Sequence, residues 1–202
     1  GDLGGLYSYQ RAEQGGEEVV RYNLFSAPTN YLYPTYLNPG PTGGNGLQVD
    51  STCVGDVFYG NLARVRRTAF AVHDGAGSSW ANNVAVQSGS SYGFGGTPAL
   101  FADNVAALGA TGLPASVTGA NRAYATDPGF LDVQGNDFRL RPDARVYADL
   151  PSFREIPFEL FGLYADEVRR RVPALRPVFK QAPAPVRVQG DESPIAMVLP
   201  PM

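Results

Sequence analysis

A spacing of about twenty-two residues runs through the chain and restricts its folds more than any other feature. Leu47-Gln48-Val49-Asp50 is followed, after a short turn, by Val57-Phe58-Tyr59-Gly60-Asn61-Leu62. Phe70-Ala71-Val72-His73 is followed in the same way by Ser79-Trp80-Ala81-Asn82-Asn83-Val84. Leu47 and Phe70 are 23 residues apart, and Asn61 and Asn83 are 22 apart. Upstream, Leu6-Tyr7-Ser8-Tyr9 precedes Val19 to Leu24. Downstream, Leu100 to Val105 repeats the second half. Asparagines stand at 23, 61, 83 and 104, each followed by Leu or Val. The long first interval shrinks to one period if Ser26 to Asn45, rich in Pro, Gly, Tyr and Asn, is a loop inserted between strands.

Short strands and turns repeating at this length predict a solenoid. Each turn of such a fold exposes strand edges that only the next can satisfy, at the sheet spacing of roughly 4.8 Å. Asparagines at one corner of successive coils can pass side-chain amide hydrogen bonds up the stack. Buried polar groups left without such partners cost on the order of 1–3 kcal/mol each. Asn23, Asn61, Asn83 and Asn104 are therefore read as an internal asparagine ladder. The alternative is four unrelated turn asparagines, against which the repeated Asn-(Leu/Val) context argues.

Composition narrows the function classes. The 202 residues suit one domain with a sizeable core. Only 17% are charged and the formal net charge is −3, which argues against a broad nucleic-acid footprint. Gly 24 and Pro 17, beside 44% hydrophobic residues, indicate a turn-rich globular chain. The lone Cys53 excludes an internal disulfide. No apolar run approaches the roughly 20 residues of a membrane span. P-loop, Cys/His metal and Gly-x-Ser-x-Gly patterns are missing.

The rest of the chain reads in order as follows. Arg64, Arg66 and Arg67 fall in a turn between coil halves, as a solvated basic corner or a contact for an anionic substrate. Gln87 to Pro98 is Gly/Ser-rich and reads as a loop, and Gly109 to Ala123 as irregular. Asp/Pro/Gly punctuation from Asp127 to Asp143 predicts final coils with tight turns. A short helix or cap is expected within 158–172. The expected organisation is β-helix coils and closing segment over 1–172, then an extended Pro-rich tail over 173–202. Because Gly1 opens directly on a strand motif, the N-terminal coils are expected to be missing from this chain and supplied by a second chain.

Four stretches resemble a known group: GDLGGLY, GLQVDS, AFAVHDGAGSSWANNVAV, and the closing DPGFLDVQGNDFRLRPDARV through IPFELFGLYADEVR. They resemble the C-terminal half of bacterial right-handed parallel β-helix proteins of the pectate-lyase-like superfamily. The subgroup is the secreted, glycan-acting β-helix proteins related to glycoside hydrolases. The resemblance implies an all-β, right-handed parallel β-helix with three sheets and a cleft along one face. It implies an extracellular, cell-surface or periplasmic location. It also implies a pair of acidic residues, which Asp2 and Asp50 match. Where the group has Asp-Asp, this chain has Asp50-Ser51.

Strand alignment adds a physical case. Matching Leu6, Leu47 and Phe70 places Tyr9, Asp50 and His73 at equivalent positions of successive coils, with Asp2 in the preceding turn. Carboxyls about 5–10 Å apart are what glycoside hydrolysis uses, and a like charge can keep one of them protonated as general acid. His73, Tyr9 and Arg66 are the candidate substrate-binding residues, and Trp80 a site or packing residue. Asp2 and Asp50 could instead be turn-formers, and His73 a satisfied strand-end residue.

Three readings compete. The first is a hydrolase acting on a polysaccharide or glycan, without metal or other cofactor. The second is a non-catalytic structural or carbohydrate-binding β-helix in a cell-surface assembly. The third is a polysaccharide lyase, which would call on Ca2+ or on Arg64, Arg66 and Arg67.

Overall fold

The computed structural model describes residues 4–9, 18–27, 45–52, 54–114, 119–158 and 161. Twelve strands alternate among three sheets in strict order. They are β1 (Gly4–Tyr9), β2 (Val19–Arg21), β3 (Leu24–Ala27), β4 (Asn45–Thr52), β5 (Val57–Tyr59), β6 (Leu62–Val65), β7 (Thr68–Asp74), β8 (Ser79–Ala81), β9 (Val84–Val86), β10 (Ser90–Phe94), β11 (Leu100–Ala102) and β12 (Val105–Ala107). Sheet A is β1-β4-β7-β10, sheet B is β2-β5-β8-β11, and sheet C is β3-β6-β9-β12 extended by β13 (Arg122–Tyr124). Every pairing within them is parallel. The chain is thus predominantly β, with parallel strands stacked in sheets, an arrangement compatible with a β-helix.

The interior follows from alternation along each strand. Leu47, Phe70 and Tyr92 share one register column of sheet A, and Phe58, Trp80 and Phe101 one of sheet B. All six are buried. Their rings stack between neighbouring strands: Phe58 and Trp80 lie 3.9 Å apart at 16°, and Phe70 and Tyr92 5.0 Å apart at 19°. Trp80 is a packing residue, its indole N–H donating to Ser78 Oγ at 2.8 Å. Sheet C meets these rings with Ala63 and Ala85, small residues that leave room for them.

Between sheets B and C the chain turns through one left-handed residue in each repeat: Tyr22, Gly60, Asn82 and Asp103, with φ of 56°, 63°, 60° and 55°. At Gly60 a Cβ would lie 2.8 Å from the Tyr22 ring, so glycine suits this corner by its small size, although Tyr22, Asn82 and Asp103 make the same turn with side chains. The residue after each of these is a buried asparagine. Asn23, Asn61, Asn83 and Asn104 are joined head to tail by Nδ2–H···Oδ1 bonds of 2.9–3.0 Å. A fifth member, Asn121, accepts from Asn104 at 3.1 Å. Each Oδ1 from Asn61 onwards also takes the backbone N–H of the preceding asparagine. Each Nδ2 from Asn61 onwards also donates to a carbonyl of the preceding repeat: Val20, Phe58, Trp80 and Phe101. Aligned amides of this kind polarise one another.

A second core lies outside sheet C. Leu24, Leu62, Val84 and Val105 form an outward column, and residues 124–158 with Phe161 cover it, through Phe130, Phe138, Val146, Leu150, Phe153 and Phe161. Strands buried on both faces read as continuous apolar runs, as VAV does in β9.

Three expectations need correction. Gln87 to Pro98 is not only loop: it holds β10, because Tyr92 and Phe94 supply inward rings that outweigh the small residues around them. Within Gly109 to Ala123, the irregular stretch ends in the first two residues of β13. Asp127 to Asp143 does not continue the parallel stacking. It folds as an antiparallel pair, β14 (Phe130–Asp132) with β15 (Asp137–Leu140), whose connection is too short for a parallel crossover. A short helix that the sequence reading did not foresee, α1 (Arg145–Asp149), follows this pair. Nearly all of 158–172, all of the 173–202 tail and most of the 26–45 loop lie outside the described residues.

Candidate functional site on the outer face of sheet A

The outer face of sheet A carries the residues that alternation turns away from the rings. On β4 these are Gln48 and Asp50, on β7 Ala71 and His73, and on β10 Gly93. Ala71 and Gly93 make a floor with almost no side chain. Asp50 and His73 stand beside it. Gly95, just beyond β10, lies against the His73 backbone, where a Cβ would collide with the carbonyl oxygen.

Asp50 and His73 do not meet by simple register. Val49 pairs with Val72, but Thr52 pairs with Asp74, so Asp50 and Ser51 together face His73. One extra residue in a strand is a bulge, which bends the strand and re-aims a side chain. The result places His73 Nδ1 3.6 Å from Asp50 Oδ1, ion-pair reach but longer than a hydrogen bond. The two are unequally exposed: the imidazole keeps 69% of its surface open, the carboxylate 16%.

Asp50 has a second neighbour that sequence reasoning missed. Gln48 is on the outer face yet only 2% exposed. Its Nε2 donates to Asp50 Oδ1 at 3.3 Å, and its Oε1 accepts from Asn45 Nδ2 at 2.8 Å. Asn45 is itself buried, and its Oδ1 has no partner among the described residues. A glutamine on a strand's polar phase predicts a solvated side chain, and nothing in the local sequence marks this one as buried. Asn121, the fifth ladder residue, was missed because Arg122 breaks the Asn-(Leu/Val) context and the interval shortens to 17.

The other candidates fall as follows. Tyr9 is the register partner of Asp50. Asp2 lies outside the described residues. Arg66 is exposed in the turn before β7, so roughly 16 Å of strand separates its end of sheet A from His73 at about 3.3 Å per residue. Arg67 shares that turn. Arg64 belongs to β6 and stacks 5.4 Å above the Phe138 ring, half-buried, its guanidinium pKa lowered by that burial. It is held by the covered face of sheet C. Beyond β10, Tyr92, Gly93, Phe94, Gly96, Pro98 and Leu113 border a cleft of about 330 Å³. Among the described residues no three His, Cys, Asp or Glu side chains gather as a metal site, and no helix is long and apolar enough to cross a membrane.

The arrangement offers a sheltered carboxylate, an accessible imidazole and a bare floor. It can accept hydrogen bonds from hydroxyl groups, and it can place a base or nucleophile beside a ring lying on the floor. Comparison with known proteins returned no matching family model, curated protein or solved structure.

Proposed function

We infer that this is a secreted, carbohydrate-active protein with a right-handed parallel β-helix of the pectate-lyase-like kind, and that it meets its glycan on the outer face of sheet A. The observation that carries the reading is the Asp50–His73 pair, brought to 3.6 Å by a bulge beside a floor of Ala71 and Gly93. A strand that spends an irregularity on re-aiming a carboxylate next to open space has the character of a site. The catalytic form is glycoside hydrolysis, with Asp50 as one carboxyl and Asp2 as the other. His73 supplies a hydrogen bond to a sugar hydroxyl.

A non-catalytic, carbohydrate-binding reading stands second. The shelter around Asp50 favours it, since a carboxylate only 16% open, beside Ser51 rather than a second Asp, serves recognition as well as chemistry. The test is a glycan panel assayed for binding, for reducing-end release and for unsaturated product, with Asp50→Asn as control. Hydrolysis that falls about 100-fold or more in the variant supports the enzyme. Binding without product supports the second reading, and unsaturated product would mean lyase chemistry. An intact protein that neither binds nor cleaves any member of the panel sinks the carbohydrate assignment.

A further inference from the structure

We propose that Asn45 and Gln48 are positioning residues that set the orientation of the Asp50 carboxylate toward His73. The proposal rests on the reading of Asp50 as a working group, and adds to it the device that aims it. Three observations support it. Gln48 is buried on a face where alternation would leave it in water. Its amide is oriented at both ends: Asn45 Nδ2 donates to Oε1 at 2.8 Å, which turns Nε2 toward Asp50 Oδ1 at 3.3 Å. The oxygen it reaches, Oδ1, is also the one facing His73 Nδ1 at 3.6 Å. One carboxylate oxygen is therefore shared between a buried amide and an exposed imidazole. The bulge after Val49 sets the strand path, and the amide relay sets the side-chain rotation.

A neutral imidazole keeps its proton on the nitrogen that faces an acceptor. At 3.6 Å the carboxylate acts on the ring through its charge, and that charge favours the tautomer with the proton on Nδ1, the nitrogen nearer Asp50; by setting the carboxylate, the relay sets that preference. A structural role for Gln48 alone would not reach the histidine ring.

His73 is the only histidine in the chain, so labelling with 15N-histidine gives one imidazole to observe. Long-range proton–nitrogen correlation spectra at alkaline pH read the ratio of Nδ1–H to Nε2–H forms in the full chain. The expected result is a ratio biased to Nδ1–H in the parent protein and lost in Asp50→Asn. Gln48→Met should lower the ratio about threefold, the population shift of part of one net hydrogen bond. Asn45→Ala loosens the relay from its far end without touching Gln48, and should move the ratio the same way. It also serves if the methionine variant does not fold. A ratio that responds to Asp50→Asn but stays at the parent value in both relay variants overturns the proposal while leaving the pair intact. A ratio indifferent to Asp50→Asn overturns it as well. Failure of the carbohydrate reading is separate, because it appears as absent glycan binding with the histidine signature unchanged.

Discussion

Sheets A and C have the same parallel pairing and the same repeat, yet their outer faces do opposite things. Outside sheet C the column Leu24, Leu62, Val84 and Val105 is apolar and lies beneath residues 124–158 and Phe161. Outside sheet A the corresponding positions hold Gln48, Asp50, Ala71, His73 and Gly93, and the histidine is open to solvent. Apart from the bulge where β4 pairs with β7, backbone geometry does not distinguish the two. Side-chain chemistry on the outward phase decides whether a face recruits a cover or keeps a site. The covered face should answer mutation with stability, and the open face with chemistry.

The largest effect that can break this contrast is at Leu150, fully buried where the closing segment crosses sheet C. Leu150→Ala removes three carbons and leaves a cavity, so a loss of about 2–5 kcal/mol is expected in denaturant unfolding. His73→Ala, a surface change on the open face, should stay within about 0.5 kcal/mol of the parent. Equal losses at the two sites would show that sheet A is also a load-carrying surface and would undo the comparison.

A smaller effect tests how the cover is held. Asn82, the left-handed residue beside ladder member Asn83, grips the closing segment twice. Its Nδ2 donates to the Arg154 carbonyl at 2.9 Å, and its Oδ1 accepts the Arg154 N–H at 2.6 Å. One repeat further on, Ser152 donates to Asp103 at 3.0 Å. Two residues of the segment thus advance by one repeat of the stack. Asn82→Gly keeps the backbone conformation available but deletes both bonds, so a loss of about 1–2 kcal/mol is expected. Hydrogen exchange should locate it: amides of 150–158 should lose protection while those of β7 and β8 keep theirs. Uniform loss across the sheets would mean the segment and the stack open as one unit.

How much of this was legible in the sequence differs between the same two faces. The repeat announced itself because asparagine at one corner and apolar residues at period two are both local signals, and they located β4, β5, β7, β8 and β11 and the starts of β6, β9 and β12, while the rest of β6, with Arg64, read as a turn. The cover over sheet C had a signal too, the unbroken apolar runs of β9 and β12, whose doubled burial is the mark of a strand packed on both sides. What could not be read was anything set by contact across repeats. Tyr92 and Phe94 make β10 a strand only because Phe70 and Trp80 are there to stack on. On the open face Asp50 and His73 were readable as residue types at matching positions. The bulge that joins them and the buried amides behind Asp50 were not, because a one-residue slip and the burial of a glutamine leave no trace in local pattern.

The smallest effect is a pH dependence confined to the covered side. Tyr124 donates its hydroxyl to Asp149 Oδ2 at 3.1 Å. Burial first, and then that carboxylate, push its pKa from the ordinary 10 up to about 12. A phenol raised in the folded state favours folding while it is protonated. Its contribution is therefore whole below about pH 10 and is lost as pH climbs toward 12, where the folded protein at last gives up the proton that the unfolded chain released earlier. Tyr147, also on this side, is shifted upward by burial in the same direction. Tyr124→Phe removes the hydrogen bond along with the titration, so the variant should be less stable by about 0.5–1.5 kcal/mol near neutral pH. The gap should then narrow between pH 10 and 12 as the parent loses what the variant never had. Parallel stability curves across that window would mean that Tyr124 ionises as freely as in the unfolded chain. The covered face would then be wetter at its edge than its packing implies, and closer in kind to the open one.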